Sequence, residues 1–379
     1  MLILVLSLGN FAIGMGVFVA IGLLLPIQQH FGLGDPQSGL ILTIYAITYA
    51  VGSPILVAAT GGVSRRTVML IGLGIFALSA GLLALANSPA LLFAARALSA
   101  LGAGLFTPIT AGVAASISAP ERQGKALATV FAGLTFAQVL GVPAGTWLGY
   151  TFGWQAAFWA VAAISAACMI GILRWVPRDL PFQSSDIRSL GTALRNWRAM
   201  LVIFFTAAFL GGIYVVYTYL APLLETTMGY GRDGITLVLI LFGVGAVIGN
   251  ALGGWLADAV GPRRTLAFLC MAQIVLMPIF SALPLPGSAV AALVILWAVF
   301  GWSFVASQQV RVVKVSGKAP SVGLALNAAA IYIGAFIGSA IGAKVIAIWG
   351  VPPLGIVGAA VAACALVLLL VSDKLARNG

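Results

Sequence analysis

The ionisable side chains of this chain are few, and their positions limit the chemistry available. The eight carboxylates are Asp35, Glu121, Asp179, Asp186, Glu225, Asp233, Asp258 and Asp373, and none falls in the middle of an apolar run. The single histidine, His30, has no partner at a spacing that builds a nucleophile and its base, so the chain reads as a non-enzyme. Cys168, Cys270 and Cys364 all lie in apolar runs, which leaves no disulfide framework or Cys-x-x-Cys metal site. No cofactor and no metal is expected. What remains is non-covalent: charge pairing, proton exchange and hydrogen bonding. Arg96 is a cation inside an apolar run, where an ionisable group is costly and marks function by default. Asp258 closes another apolar run just before Arg263 and Arg264. Such a pair either latches one conformation or only anchors the loop.

The runs themselves set the architecture. Apolar residues make up 62% and charged residues 7% of the chain, against ~45–50% and ~25% in a soluble domain. A helix needs ~20 apolar residues to cross a ~30 Å hydrocarbon core. Twelve runs qualify: 2–25, 38–60, 67–86, 90–113, 124–149, 154–175, 198–222, 234–257, 265–283, 288–311, 321–346 and 352–372. They are continuous rather than alternating with period two, which favours helices over a barrel. The fold class is therefore an all-α polytopic membrane protein.

Charge in the gaps gives the direction. Arg65, Arg66, Arg122, Lys125, Arg174, Arg178, Arg188, Arg195, Arg198, Arg263, Arg264, Arg311, Lys314, Lys318, Lys374 and Arg377 fall on one side and account for 16 of the 19 basic residues. The other side has Arg232 alone, while Arg96 and Lys344 lie inside runs. The positive-inside rule makes the basic side, and both termini, cytoplasmic. A net charge of +11 spread over separate gaps is used by topology and implies no nucleic-acid partner. The first run lacks a basic leader and a small-residue cleavage site, so it reads as a span. Membrane lipid is the expected surrounding. Arg96 sits roughly 12 Å along its helix, too deep to snorkel. It needs carbonyls, a water-filled cavity or an acidic partner. Its two readings are a proton-site or substrate role and packing against backbone carbonyls.

A basic, Pro- and Ser-containing segment divides the twelve runs into six and six, giving bundles 1–176 and 198–379 with a cytoplasmic loop 177–197 between them. The halves are internal repeats. Arg65-Arg66-Thr67 follows the second run, and Arg263-Arg264-Thr265 follows the eighth, 198 residues later. Gly141, Gly145 and Gly149 form a ladder in the fifth run, and Gly334, Gly338 and Gly342 form another in the eleventh. Each ladder is either a site of static close packing or a smooth surface along which helices of opposite halves rock.

With these motifs in place the chain resembles the major facilitator superfamily over essentially its whole length. Gly254-x-x-x-Asp258-x-x-Gly261-x-Arg263-Arg264 is similar to the superfamily's cytoplasmic loop signature. Arg96, followed by Gly102 and Gly104, resembles the arginine motif of the fourth span. Gly133 through Gly141-Val142-Pro143-Ala144-Gly145 resembles the fifth-span motif of the drug:proton antiporter branch. Within that branch, Gly153-Trp154-Gln155-Ala156-Ala157-Phe158-Trp159 and Ala325-Leu326-Asn327 look like the sugar-efflux (arabinose efflux permease) group. In the first half Gly61 stands where the second has Asp258, and Ser64 where it has Gly261, so a latch rests more on the second half.

The resemblance implies two pseudo-symmetric six-helix bundles working as a monomer by alternating access around a small-molecule substrate. It puts Asn10, Phe11, Phe106, Thr135, Gln138, Tyr214, Tyr217, Trp297, Gln308, Asn327 and Tyr332 at the cavity. Neutral hydrogen-bonding groups beside aromatic faces suit sugars, nucleosides or similar solutes. It assigns coupling or gating to Arg96, Asp258, Arg263, Arg264, Arg65, Arg66 and Pro143, with Asp35 and Glu225 as proton candidates beside His30. Family exporters often carry an acidic residue deep in the first span. This one has Asn10 there, with Gln28 just past its end, and no acid. The expectation is a proton-coupled inner-membrane exporter of small neutral solutes, with a multidrug exporter or an uncoupled facilitator as the alternatives.

Overall fold

The computed structural model describes residues 2–33, 35–178, 180, 187–317 and 319–377. Among the described residues the chain forms seventeen α-helices and three short 3-10 or π segments, joined by turns. In hydrocarbon every backbone N–H and C=O must be paired within the chain, and a helix does this locally. Among the described residues twelve stretches are long and apolar enough to cross a membrane, starting with Leu2–Ala20 and ending with Leu354–Leu375. They coincide with the twelve apolar runs to within several residues at each end.

The chain divides into two compact units, one of Met1–Ala193 with Ser316–Ala329 and one of Leu194–Val315 with Ala330–Gly379. The first contains α1 (Leu2–Gly22), α2 (Leu24–Phe31), α3 (Asp35–Ala59), α4 (Arg65–Ala84), α5 (Pro89–Ile117), α6 (Gln123–Phe136), α7 (Val142–Phe152) and α8 (Trp154–Trp175). Then α9 (Ile187–Arg195) follows, starting after the undescribed residues 181–186 of the central loop. The second unit contains α10 (Trp197–Tyr217), α11 (Leu220–Met228), α12 (Arg232–Ala259), α13 (Pro262–Leu276), α14 (Gly287–Trp302), α15 (Phe304–Val315) and α17 (Leu354–Arg377). The helix α16 (Pro320–Trp349) contributes its first residues to the first unit and the rest to the second.

Local chemistry explains where the helices begin. The hydroxyl of Ser64 accepts from the Thr67 N–H at the head of α4, and that of Ser88 accepts from the Leu91 N–H at α5, with Pro89 at the first helical position. The Asn196 carbonyl oxygen accepts from the Ala199 N–H at α10. These are the preferred N-cap residues, each satisfying a donor the helix leaves unpaired.

The two units share one plan. In the first, α3 and α4 pack on α5, α4 packs on α8, and α1 packs on α6 and α8. In the second, α12 packs on α14 and α15, α13 on α15 and α17, and α10 on α17. Four of these pairings recur span for span in the two units. The first span of each unit also breaks at a matching place, α1 to α2 at Leu23 and α10 to α11 at Thr218–Tyr219. Each short second helix ends on a left-handed glycine, Gly32 at φ 62° and Gly229 at φ 65°.

The glycine ladders face helices of their own unit. Gly141, Gly145 and Gly149 lie against Met15, Val19 and Leu23 of the first span, and Gly133 lies against the Ser7 carbonyl. Gly334, Gly338 and Gly342 lie against Ala207, Gly211 and Tyr219 of the seventh. Of the two readings of these ladders, close packing within a unit is the one the contacts display. The fifth span is interrupted and the eleventh is not. A π-helical turn, Ala137–Gly141, closes with the Val142 N–H bonded to the Ala137 carbonyl. It stands just before Pro143, which has no N–H to continue the α ladder.

Exposed aromatic side chains mark both ends of the spans. Trp147, Tyr150 and Trp349 lie near ends remote from the basic gaps, and Trp175, Trp197 and Trp255 near the basic ends. That is the aromatic belt of a membrane protein.

Candidate functional site

In the first unit Asn10 is closed into a hydrogen-bond cluster. Its Nδ2 donates to Thr110 Oγ1 at 3.0 Å and to the Leu6 carbonyl at 3.2 Å, and its Oδ1 accepts from Thr107 Oγ1 at 2.9 Å. All three residues are buried. The cluster ties α1 to α5, and Asn10 presents no surface to a ligand in this conformation. The buried Phe106 ring lies on Gly9. Thr135 is buried and donates back to the Phe131 carbonyl four residues earlier. Asn327 is also buried. Phe11 and Gln138 remain half-buried, Gln138 within the π turn.

Arg96 is buried in α5. Its Nε donates to the Ile41 carbonyl at 3.2 Å, its Nη1 to the Gly16 carbonyl at 3.1 Å, and its guanidinium lies 4.8 Å over the Tyr45 ring. Backbone carbonyls and an aromatic face thus help replace lost water around a cation. The contacts link three helices at this depth.

The second unit gathers aromatic residues from several helices. Tyr214 and Tyr217 meet edge to face at 5.7 Å, Tyr217 stacks on Phe242 at 4.5 Å, and Trp297 lies 5.2 Å from Phe242 and 4.9 Å from Phe280. Trp297 is fully buried, and its carbonyl accepts from Gln273 Nε2 at 3.2 Å. Tyr214, Tyr217 and Tyr332 stay half-buried, and Tyr214 lies within electrostatic range of the other two. Gln308 is buried and donates to the Val202 carbonyl at 2.7 Å. Of the cavity residues expected from the sequence, the three tyrosines of this unit, with Phe11 and Gln138 of the other, keep accessible surface.

The basic loops are engaged differently in the two units. In the first, Arg65 is buried and Arg66 donates to the Leu173 carbonyl at the end of α8. In the second, Arg263 Nε lies 2.9 Å from Asp373 Oδ2 near the end of α17, and Arg311 Nη2 lies 2.9 Å from Asp373 Oδ1. Arg311 Nη2 also donates to Ser372 Oγ at 2.9 Å. The side chains of Arg311 and Asp373 are 10% and 13% exposed and that of Arg263 45%, so the inner pair is largely withdrawn from water. Asp258 and Arg264 are exposed at the ends of their helices. Glu225 is exposed on α11, and the Asp35 side chain lies outside the described residues. Sequence reasoning passed over Asp373 and Arg311. Their signal was one acid and one base, each at the basic end of its run, but 62 residues separate them.

Two repeats of six apolar spans, each with a basic loop docked on its sixth span, define a polytopic membrane carrier. The sequence profile of the Major Facilitator Superfamily matches residues 6–322, and the chain belongs to that superfamily of transporters. It is 31% identical over 374 residues to the inner membrane transport protein YdhP of Escherichia coli (strain K12), covering 98% of this chain and 96% of that one. It is 28% identical over 265 residues to AraJ of the same organism, covering 70% and 67%. Among solved structures it resembles the superfamily transporter FucP in the outward conformation, with TM-score 0.77 and 17% identity over 97% of each chain. That likeness shows the fold.

Proposed function

We propose that the protein is an inner-membrane exporter of small neutral polar solutes, sugar- or nucleoside-like, in which the halves 1–176 and 198–379 act as a monomer by alternating access. Both termini lie in the cytoplasm, on the side of the basic gaps. The observation that carries the solute class is the tyrosine group of the second unit. Tyr214, Tyr217 and Tyr332 offer three hydroxyls beside stackable faces, and all three keep accessible surface. A hydroxyl-rich solute can exchange hydrogen bonds with phenols and lay an apolar ring face on an aromatic one. The name of YdhP supports the membrane, and the similarity to AraJ, a putative transporter, supports transport alone.

Proton antiport is the energy source proposed by resemblance. A second reading, uncoupled exchange, is favoured by one observation: among the described residues no Asp or Glu is fully buried, and the most enclosed, Asp373, is held by two arginines.

Ligand-induced thermal stabilisation of the purified protein tests the solute class, since a bound ligand stabilises by RT ln(1 + [L]/Kd). Pentoses, hexoses or nucleosides are expected to raise the Tm. Tyr214→Phe, Tyr217→Phe and Tyr332→Phe should each weaken that binding about five- to tenfold, the worth of one hydrogen bond. A response to lipophilic drugs alone replaces this reading with the multidrug one. Repeating the titration at two pH values separates proton-linked from uncoupled binding.

A further inference from the structure

We propose that α9 and the first turn of α10 form a docking surface for the anionic phospholipid headgroups of the bilayer around the protein. This rests on the chain being embedded in a membrane and is independent of the solute and of coupling. On α9, Arg188, Thr192 and Arg195 recur at helical spacing along one face, while Leu190 and Leu194 line the other. Thr192 Oγ1 bonds to the Arg188 carbonyl at 2.9 Å, so the basic face is a formed helix surface. Leu194 is 50% exposed although it is apolar, and so is Trp197 at 54%. The Arg198 guanidinium lies 5.9 Å above the Trp197 ring.

A single residue joins α9 to α10. Asn196 leaves helical geometry at φ −79°, ψ 87° and spends its side chain capping α10. One residue spans no more than about 3.6 Å. The end of α9 is therefore held at the level where the seventh span enters the hydrocarbon. At that depth the bilayer changes from acyl chain to phosphate, and it matches both faces at once. Leucines and the indole enter the acyl boundary, while guanidinium groups chelate phosphate oxygens. A protein groove would take the apolar face and leave the arginines in water. The charge fits as well. From Arg174 to Arg198 the sequence carries Arg174, Arg178, Arg188, Arg195 and Arg198 against Asp179 and Asp186, an excess of positive charge that an anionic leaflet attracts.

Hydrogen–deuterium exchange on the intact protein in nanodiscs tests the proposal. Amides of 187–195 are followed in phosphatidylcholine alone and in phosphatidylcholine mixed with phosphatidylglycerol. Exchange is expected to slow in the mixed discs by about fivefold for each arginine engaged. The slowing should fade at high salt and disappear in the doubly substituted Arg188→Gln, Arg195→Gln protein. Leu194→Asn should speed exchange in both lipids. The arginines are exposed, so their replacement spares the fold, and the wild-type lipid comparison needs no variant. Equal exchange in the two lipids overturns the proposal, as does slowing that survives loss of both arginines. Equal slowing by inorganic phosphate in phosphatidylcholine discs indicates a free-anion site and overturns the bilayer reading too.

Discussion

The loop after the second span and the loop after the eighth perform one task with different chemistry. Both carry Arg-Arg-Thr, and both reach the basic end of the sixth helix of their own unit. In the first unit the acceptor is a backbone carbonyl, Leu173. In the second it is a carboxylate, Asp373, which also holds the nearly buried Arg311. The turns differ too. Ser64 opens α4 at φ −56° and caps it with its hydroxyl, whereas Gly261 opens α13 at φ 91° with no side chain to cap. Thr265 braces that turn by donating its hydroxyl to the Gly261 and Leu256 carbonyls, without capping the helix N–H groups. A duplicated sequence can thus keep its topology while one copy becomes an electrostatic junction and the other stays a packing joint. The charged copy is where loss of one side chain leaves another charge stranded.

That asymmetry sets the order of expected effects, each read as thermal unfolding of the purified protein. Asp373→Ala should be the most damaging, at about 3–5 kcal/mol, because it strands the Arg311 guanidinium in a largely dry site. If it proves as mild as Arg66→Gln, the junction is not what distinguishes the second unit. Next come the ladders. A Cβ at Gly338 would overlap the backbone carbonyl of Gly211, while one at Gly145 would meet the Val19 side chain rather than backbone. Gly338→Ala should therefore cost roughly 1–3 kcal/mol and exceed Gly145→Ala; the reverse order would mean that the fifth span is the tighter joint. The turns follow. Gly261→Ala places a side chain at a strongly positive φ, at about 1–3 kcal/mol, against about 1 kcal/mol for Ser64→Ala through loss of a cap. Arg66→Gln should be smallest, below about 1 kcal/mol, since it removes one hydrogen bond at a surface. An effect as large as that of Asp373→Ala would show the first loop to be the stronger joint.

The site was less legible than the fold. Asn10 and Gln138 look alike in the sequence, each an amide inside an apolar run. Three hydrogen bonds close Asn10 between two helices, while Gln138 stays half-buried at the π turn. Trp297 and Tyr217 were equally plausible ligand surfaces. The structure buries the first behind Phe242 and Phe280 and leaves the second partly open. Pro143 and the glycines were visible as a motif, but a neighbouring helix was needed to show that the ladder serves the first span.

The sequence by itself determined the number of spans, their helical state, the repeat and the superfamily. These depend on local quantities. An apolar run of sufficient length must pair its own backbone in hydrocarbon, and a cap or a basic gap acts within a few residues of its position. Only the tertiary structure decided that Asp373 joins Arg263 to Arg311, that Arg96 is met by two carbonyls and a tyrosine face, and that three tyrosines keep open surface. Those outcomes depend on which side chains meet across tens to hundreds of residues, and on how much water is left between them. Helical periodicity gives the face on which a residue lies but not the neighbour that covers it.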